Sequence, residues 1–404
     1  MTRITGIRTI RTRSDGSWLI VKVLTDQPGL YGIGSASDYY QREAVEAVIT
    51  HNLAPLVTGR DASAIEDIWQ SIYTSGYWRN GSILNTALAG IDMALWDIKG
   101  KEAGMPVYQL LGGACHQAVL AYAHAGGRDT AELIDDVRRY QAEGYQVIRC
   151  QYAQYGGGGF LSSAQARTPR GYAPKQVFDD EAYLEKVLAM FEALRTALGN
   201  QPKLTHDVHE HLRPQNAVRL AKLLEPYNLF FLEDVLPPEQ IAWFELIRQQ
   251  CATPQAMGEL FVNPQEWLPL VTGRLIDYLR VRVSKAGGIT PCRKLAAICE
   301  AFGVHTAWQE GGDNDPVNQV AAMHLDMNSW AMGVQEENHF APQELEAFPG
   351  HAELTGGYLY LSGKPGLGSD IEEARAEALL DPERARIRHF AAEDRRADGT
   401  IVRP

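Results

Sequence analysis

The sequence predicts an α/β protein: a (β/α)₈-type barrel with an N-terminal α+β capping domain and a C-terminal segment that packs back on the cap. Three observations predict this class. In residues 1–115 strand patterns come first and helical patterns follow, which is typical of an α+β domain. From about residue 116 strand and helix patterns alternate. Three acidic residues, Asp207, Glu233 and Glu259, recur at intervals of 26 residues, and each ends a strand-like segment.

The predicted capping domain, residues 1–115, begins with strands and continues with helices. Apolar and polar residues alternate on either side of the turn SDGS, in IRTIRTR and SWLIVKVLTD, as in a β-hairpin. Helical periodicity follows in QREAVEAVITHNLAPLV, IEDIWQSIYTSGYW and ILNTALAGIDMALWDIKGKEAG. We therefore expect a small antiparallel sheet covered by helices.

The predicted barrel, residues 116–340, contains eight strand-like segments that are mostly separated by helical ones. The strands are VLAYAHA, QVIRCQ, KLTHDVH, LFFLEDV, QAMGEL, YLRVRVS, VHTAWQ and MGVQEEN. Glycine follows several of the intervening helices, where it can adopt the left-handed conformation that ends a helix. Eight such strands predict a (β/α)₈ barrel. Residues 341–404 are rich in Pro and Gly and then charged, and we expect them to complete the cap.

One connection is much longer than the others. After QVIRCQ comes YAQYGGGGFLSSAQARTPRGYAPKQ, which is rich in Gly, Ser and Pro. Connections of this length in compact domains are usually lids or binding loops. Because it follows a barrel strand, residues 154–175 should overhang the catalytic face and, with the first domain, close over a substrate.

The composition excludes several classes of protein. The formal net charge of -12 over 404 residues argues against a nucleic-acid partner, which would need a basic surface. The five cysteines include no close pair and are typical of a reducing compartment. No apolar run has the roughly 18–20 residues of a membrane span. We expect a cytoplasmic protein with a small-molecule partner.

The acidic triplet predicts a metal site. A strand, a helix and two loops take about 25–45 residues, so equal spacing places the three carboxylates at matching ends of successive parallel strands. A single carboxylate there is usually a helix cap or a solvated side chain. Three that converge repel one another unless a divalent cation such as Mg²⁺ lies between them. His209 follows Asp207 by two residues and shares its face, with His206 and His211 as alternatives. Other polar residues at strand ends are His124, Arg149, Arg280, Gln309, Asp313 and Glu336.

Longer motifs carry a resemblance to a known family. The segment ALAGIDMALWDIKGKEAGMPVYQLLGG and the Asp/Glu/Glu triplet are similar to the enolase superfamily, of the mandelate racemase/muconate lactonizing enzyme type. The segments DVHEHLRP, FLEDVLPP, MGELFVNP, YLRVRVSKAGGIT and MGVQEE resemble its mannonate dehydratase branch. The likeness extends through nearly the whole chain.

The resemblance implies a reaction and roles for residues. It implies that a base removes the proton α to a sugar-acid carboxylate, that Mg²⁺ stabilises the enediolate, and that the β-hydroxyl leaves. The metal ligands would be Asp207, Glu233 and Glu259, and His209 would be the acid. The base would be Tyr155, assisted by Arg149, with Tyr152 as a competing candidate.

The resemblance also implies substrate contacts, some of which depart from the branch. His124, Arg280, Asp313 and Glu336 match contact positions. The branch usually has a His where this chain has Gln309, and the segment SASDYYQRE has Tyr39 or Tyr40 in place of an Asn-containing pattern. The chemistry is therefore implied more firmly than the sugar.

We therefore predict a Mg²⁺-dependent acid-sugar dehydratase of the mannonate/gluconate type, a carbon–oxygen lyase that yields a 2-keto-3-deoxy acid. The alternatives are a ligand-binding or regulatory paralogue that retains the Mg²⁺ site, and an epimerase of a related acid. The branch also implies a homo-oligomer.

Overall fold

The computed structural model describes residues 1–152, 157–384 and 394–402. The chain forms two compact units. Unit 1 consists of Met1–Leu120, Phe261–Trp267 and Val281–Arg388, and unit 2 consists of Ala121–Leu260, Leu268–Arg280 and His389–Pro404. The domain limits that the sequence suggests, at about 115 and 340, stay a prediction.

Unit 1 begins with a three-stranded antiparallel sheet. Its strands β1 (Ile4–Thr12), β2 (Trp18–Thr25) and β3 (Tyr31–Ser35) are neighbours in that order. Thr12 pairs with Trp18 across the turn, where the Gly16 amide donates to the Arg13 carbonyl oxygen at 2.9 Å. The predicted hairpin is confirmed.

Helices cover this sheet. They are α1 (Arg42–Ala47), a π-helical stretch (Val48–Leu53), α2 (Ala54–Val57), α3 (Ile65–Ser75), α4 (Ser82–Ala103) and α5 (Val107–Leu111). The apolar faces of these helices and of the sheet form one buried cluster, which includes Val21, Val45, Ile68 and Ile91. The first predicted helix is therefore one continuous helical run with a π-helical middle.

The chain continues with strands and helices that alternate, most of which belong to unit 2. These elements are β4 (Val119–Gly127), α6 (Thr130–Ala142), β5 (Val147–Tyr152), β6 (Phe160–Ser162), β7 (Gln176–Phe178), α7 (Asp180–Leu198), β8 (Lys203–Asp207), α8 (Pro214–Leu223), β9 (Phe231–Glu233), α9 (Phe244–Gln250), β10 (Gln255–Met257), α10 (Pro264–Thr272) and β11 (Tyr278–Leu279). Short 3₁₀ turns lie at Glu225–Tyr227 and Pro238–Trp243.

Six parallel strands of this stretch form one sheet in the order β4, β5, β8, β9, β10, β11. Arg149 in β5 pairs with His124 in β4 and with Thr205 in β8. Asp207 pairs with Glu233, the last residue of β9. The first two carboxylates of the triplet are therefore at equal height, whereas Glu233 pairs with Ala256 in β10 and Glu259 lies three residues beyond Ala256.

The long connection after β5 contains regular structure that the sequence analysis did not predict. Strands β6 and β7 pair as an antiparallel ribbon, with Phe160 opposite Phe178. Residue Phe178 also forms a bridge with Arg396, and its amide donates to the Arg395 carbonyl oxygen at 2.8 Å. The segment around Arg395 and Arg396 therefore pairs with β7 in the manner of a third strand.

The remaining elements belong to unit 1. They are α11 (Val283–Ala286), α12 (Ile289–Phe302), β12 (His305–Thr306), α13 (Pro316–Asn328), β13 (Gln335–Glu336), α14 (Pro342–Leu345), β14 (Glu353–Thr355), β15 (Tyr358–Tyr360) and α15 (Glu373–Ala378). Helix α15 lies against β1 and β2, where Glu373 pairs with Arg8 at 2.9 Å and with Lys22 at 2.6 Å. All eight predicted barrel strands are present, as β4, β5 and β8 to β13. No helix in the described part of the chain is long and apolar enough to cross a membrane.

Candidate active site

The ends of β5, β8 and β9 bring ionised side chains together in unit 2. Because side chains alternate along a strand, Arg149, Asp207 and Glu233 share one face while Ile148, His206 and Leu232 lie on the other. Asp207 and Glu233 have no exposed surface, and Arg149 is 7% exposed. Buried charges of this kind need partners of opposite sign.

Arg149 is the first of two buried cations in this cluster. Its Nη1 donates to Asp207 Oδ2 and to Glu233 Oε1, both at 3.2 Å. Its Nη2 donates to His124 Nδ1 at 3.2 Å, because a guanidinium has no acceptor. Four of the residues that the sequence predicts for the site are thus in direct contact.

Arg280, after β11, is the second buried cation. It pairs with Asp234 and lies 3.6 Å from Glu233 Oε1 and 3.9 Å from Glu259 Oε2. Its Nη2 donates to the Tyr122 hydroxyl at 2.8 Å, and this hydroxyl donates to Glu233 Oε2 at 3.4 Å. Arg280 therefore links the second and third carboxylates of the predicted triplet.

His209 lies beside the third carboxylate. Its Nε2 is 3.9 Å from Glu259 Oε1, and its backbone amide donates to Asp207 Oδ1 at 2.8 Å. Burial, His211 and the two arginines hold the pKa of His209 well below its usual value. Glu259 is the least buried of the three carboxylates, with 23% of its side chain exposed.

The electrostatics of the cluster show where another cation would be stabilised. Burial and the neighbouring Glu233 raise the pKa of Asp207 well above its usual value, and Arg149 opposes them. Within residues 1–152, 157–384 and 394–402 no three His, Cys, Asp or Glu side chains are spaced to hold a metal ion. The carboxylates lie instead against Arg149 and Arg280. Their oxygens are nevertheless the donors that Mg²⁺ prefers, and the three carboxylates outnumber the two arginines that lie against them.

A second group of predicted residues lies in unit 1. Gln309, Asp313 and Glu336 are buried, at 2%, 5% and 2% exposure. Glu336 Oε2 accepts from the Glu310 amide at 2.9 Å. Asp313 Oδ2 accepts from the Tyr39 amide at 3.0 Å, so the segment after β3 and the segment after β12 are joined.

Tyr39 uses its hydroxyl within unit 1. The hydroxyl donates to the Gly312 carbonyl oxygen at 2.6 Å and accepts from Arg13 at 3.2 Å. Burial raises the pKa of Tyr39, and Arg13 opposes this effect. The side chain thus anchors the loop after β3. Its predicted contact with substrate, like that of Tyr40, stays a prediction.

Two tyrosines, Tyr155 and Tyr152, are candidates for the base. Tyr155 lies outside the described residues. Tyr152, the last residue of β5, shares a hydrogen bond of 2.6 Å between its hydroxyl and that of Thr130. It is three residues after Arg149 and therefore on the opposite face of the strand. This position does not suit a base that Arg149 assists.

Two acidic residues of the cluster were missed by the sequence analysis. Asp234 follows Glu233, accepts from the Gly258 amide at 2.9 Å and pairs with Arg280. Glu210 is 1% exposed, and among the described residues no hydrogen bond reaches either of its carboxylate oxygens; His209 Nδ1 lies 3.6 Å from its Oε2. Burial and the neighbouring acids raise the pKa of Glu210 well above its usual value. The signal in the sequence is an acidic residue directly after a predicted site residue, in both HE and ED.

Comparison with known proteins places this arrangement in a family. Residues 6–112 match the mandelate racemase/muconate lactonizing enzyme N-terminal domain, and residues 132–375 match the enolase C-terminal domain-like family. A D-galactonate dehydratase family member from Paenibacillus sp. (strain JDR-2) is 61% identical, with all of both chains covered. The chain belongs to the D-galactonate dehydratase family of the enolase superfamily.

Solved structures of relatives agree with this membership. The crystal structure of an enolase from Pantoea ananatis with bound D-gluconate and magnesium has a TM-score of 0.94, with 46% identity and all of both chains covered. A member of the enolase superfamily from Salmonella Typhimurium, at 21% identity and a TM-score of 0.79, covers 93% of this chain and is 98% covered itself, and shows the fold alone.

Membership of this family confirms several of the predictions made from the sequence. The predicted superfamily and fold class, a capping domain with a (β/α)₈ barrel, are confirmed. The family is one of sugar-acid dehydratases, so the predicted class of enzyme, a hydro-lyase, is confirmed as well. The narrower likeness to mannonate dehydratases, the cytoplasmic location and the homo-oligomer stay predictions.

Proposed function

We propose that this family member is a Mg²⁺-dependent dehydratase of a six-carbon acid sugar of the gluconate or mannonate type. The buried cluster of Arg149, Arg280 and the carboxylate triplet carries this proposal. It occurs in a chain that is 46% identical over its full length to a protein with bound D-gluconate and magnesium. The product would be a 2-keto-3-deoxy acid, formed by loss of one water molecule.

The carboxylates of Asp207, Glu233 and Glu259 would hold the metal. When bound, Mg²⁺ supplies positive charge that neutralises the negative charge developing on the substrate carboxylate as the α-proton leaves. Asp207 and Glu233 share a buried position in adjacent strands, so their oxygens are fixed before any ligand arrives. Arg149 and Arg280 then keep positive charge beside an anionic substrate.

The proton at the α-carbon would be taken by Tyr155. A guanidinium nearby favours the phenolate form of a tyrosine and so lowers its pKa towards a useful range. Arg149 is held in place by three contacts, to Asp207, Glu233 and His124, which fix the position of its guanidinium.

His209 would give a proton to the departing β-hydroxyl. In the protein alone its pKa is low, chiefly because the ring is buried and arginines are near. An anionic substrate placed beside the ring opposes this lowering, because negative charge favours the imidazolium form. The acid would therefore become effective when the substrate is bound.

A sugar-acid-binding regulatory protein that retains the Mg²⁺ site is the second candidate. The observation that favours it is Gln309, an amide that cannot move a proton, at a position where the mannonate dehydratase branch usually has His. The same substitution argues against an epimerase, which would need a base on each side of the α-carbon.

Turnover of a panel of acid sugars tests the proposal directly. The protein would be incubated with Mg²⁺ and each of a set of C5 and C6 acid sugars, and 2-keto-3-deoxy products would be measured. We expect at least one C6 acid of the gluconate or mannonate type to react. Binding of these acids with no product from any of them would instead support the regulatory protein.

A pair of tyrosine variants tests the base. Tyr155→Phe should retain Mg²⁺ and lose exchange of the α-proton with solvent deuterium, by at least about 10²-fold. Tyr152→Phe is the matched control, because its hydroxyl is bonded to Thr130, and should retain exchange. Exchange that persists in Tyr155→Phe would show that the base is another residue.

A further inference from the structure

Arg282 connects two of the residues that the sequence predicts to face substrate. It lies between β11 and α11 in unit 1, and 7% of its side chain is exposed. Its Nε donates to Gln309 Oε1 at 2.7 Å and its Nη1 donates to Asp313 Oδ1 at 2.6 Å. Neither the sequence motifs nor the family membership assigns a role to Arg282.

The chemistry of the guanidinium fixes the orientation of the Gln309 amide. All polar atoms of an arginine side chain are donors, so the amide oxygen of Gln309 must face Arg282 and the amide nitrogen must face away. In the described part of the chain no acceptor takes a hydrogen bond from Gln309 Nε2. Gln309 is 2% exposed as a residue, and its Nε2 keeps some accessible surface. Gln309 is therefore a fixed donor that a ligand can reach.

The surrounding backbone makes room for this arrangement. A methyl group at Gly311 would lie 2.1 Å from Arg282 Nη2 and 2.8 Å from Gln309 Nε2. Both distances are too short for real contacts, so any side chain at residue 311 would displace the guanidinium, the amide or both. The other oxygen of Asp313 accepts from the Tyr39 amide at 3.0 Å, which fixes the far side of the cluster.

We propose that Arg282 is a positioning residue that presents the Gln309 amide as a fixed hydrogen-bond donor to an acceptor oxygen of the bound acid sugar. Gln309 then favours a ligand that has an acceptor oxygen opposite the Gln309 amide nitrogen. It transfers no proton. This inference rests on the proposed function for its ligand class. It deepens that proposal by replacing a proton-transfer group at this position with a recognition group.

Binding of D-gluconate measures this role without depending on turnover. The affinity would be measured by calorimetry at saturating Mg²⁺ for wild type, Arg282→Gln, Gln309→Ala and the double variant. We expect each single variant to bind about tenfold more weakly, and the double variant to be no weaker than Gln309→Ala. Arg293→Gln is the control, because that arginine is 40% exposed and pairs with the surface residue Glu66. Its affinity should equal that of wild type.

Further variants separate positioning from a general structural role. Arg282→Lys, which keeps a charged donor, should lose less affinity than Arg282→Gln. Gly311→Ala, which leaves every polar group in place, should weaken binding as Arg282→Gln does. Gln309→Glu keeps the contact with Arg282 and removes the donor, so it should bind as weakly as Gln309→Ala. If the protein turns over a substrate, each of these variants should raise KM for it and leave kcat within about threefold of the wild-type value.

Several outcomes would overturn the inference. The first is an affinity of the double variant for D-gluconate that is about a hundredfold lower than that of wild type, because the two single effects would then be independent. The second is wild-type affinity in Gln309→Glu. The third is a wild type that does not bind D-gluconate. Binding that follows the expected pattern in a protein without turnover would uphold the donor role and overturn the dehydratase. The two proposals therefore fail separately.

Discussion

At the scale of single residues, Asp207 and Glu233 pose the main electrostatic problem of this protein. Both are fully buried and both share Nη1 of one arginine at 3.2 Å. Burial and the neighbouring Glu233 raise the pKa of Asp207, and Arg149 opposes them only in part. A divalent cation that binds these oxygens would supply the missing charge, so its affinity should depend on each carboxylate.

Glu233→Gln tests this dependence. The amide keeps the size of the side chain and removes one negative charge, so we expect Mg²⁺ affinity and dehydration to fall together, each by at least about 10²-fold. Calorimetric titration of Mg²⁺ and the product assay measure the two effects. Glu239→Gln, at an exposed residue of the same unit, should change neither. Undiminished Mg²⁺ affinity in Glu233→Gln would remove this residue from the ligand set.

The two acidic residues that sequence reasoning missed have a backbone conformation to which strand alternation does not apply. Alternation along a strand predicts Arg149, Asp207 and Glu233 correctly as neighbours. It also predicts that the next residue points away, and this rule fails for Glu210 and Asp234. Their φ angles are 56° and 44°, in the left-handed region, where strand alternation no longer applies. Residue type gives only a weak signal for such a turn of the backbone, because aspartate is enriched in this region and glutamate is not.

At the scale of elements, β3 and α4 approach each other unusually closely. A Cβ atom at Gly34 would lie 2.0 Å from the Gly90 carbonyl oxygen, and one at Gly32 would lie 1.9 Å from that of Ala94. The clash is with backbone, so it cannot be relieved by a change of rotamer. The glycines thus set the distance between the sheet and the longest helix of unit 1.

We therefore expect Gly34→Ala to lower the free energy of unfolding by more than about 2 kcal/mol, as overpacking in a core does. Urea unfolding followed by circular dichroism would measure it. Gly6→Ala, in β1 of the same sheet, is the matched control, because no atom lies within 4 Å of the added methyl group. Equal stability of the two variants would contradict the close packing.

His324 joins three segments of unit 1 through a neutral ring. Its Nδ1 accepts from the Tyr108 amide at 3.3 Å, so the proton is on Nε2, which donates to the Leu367 carbonyl oxygen at 3.0 Å. Burial lowers the pKa of His324 to about 4. The unfolded chain, with an ordinary histidine pKa of about 6.5, therefore takes up this proton at a higher pH than the folded chain does.

This difference in pKa predicts a pH dependence of stability. The contribution of His324 is complete above about pH 6.5 and is lost as the pH falls from there to about 4. Between pH 7 and pH 5, wild type should lose about 2 kcal/mol more of unfolding free energy than His324→Gln does. Urea titrations at the two pH values measure this. His51→Gln, at an exposed histidine, should behave as wild type. Parallel losses in His324→Gln and wild type would show that the ring has the same pKa in the folded and unfolded chain.

Which elements were predictable depends on how local their stabilisation is. The β1–β2 hairpin and helix α4 follow from alternation and periodicity within their own segments. The β6–β7 ribbon was not predicted, because its strands have three residues each and the ribbon pairs with a segment more than 200 residues away, at Arg396. The strand-like segment VHTAWQ predicts β12, of which only His305–Thr306 is a strand in the structure.

At the scale of the whole molecule, net charge and local charge act in the same direction. The net charge of -12 disfavours an anionic sugar acid and favours a divalent cation. The carboxylate triplet outnumbers Arg149 and Arg280 beside it, so the cluster also favours a cation before it favours an anionic substrate. Metal should therefore bind to the protein without substrate, and the substrate should bind more weakly without metal.

Binding of Mg²⁺ to the folded chain alone should then stabilise the whole molecule. A ligand that binds only the native state at 100 times its Kd adds about 2.7 kcal/mol to the free energy of unfolding. We expect a higher urea midpoint in Mg²⁺ than in EDTA with NaCl of equal ionic strength, for wild type and Glu239→Gln. Glu233→Gln should show little or no such difference, because it has lost one ligand. Equal midpoints of wild type in Mg²⁺ and in EDTA would mean that the carboxylates and arginines of unit 2 already satisfy one another, and that no ion is held there.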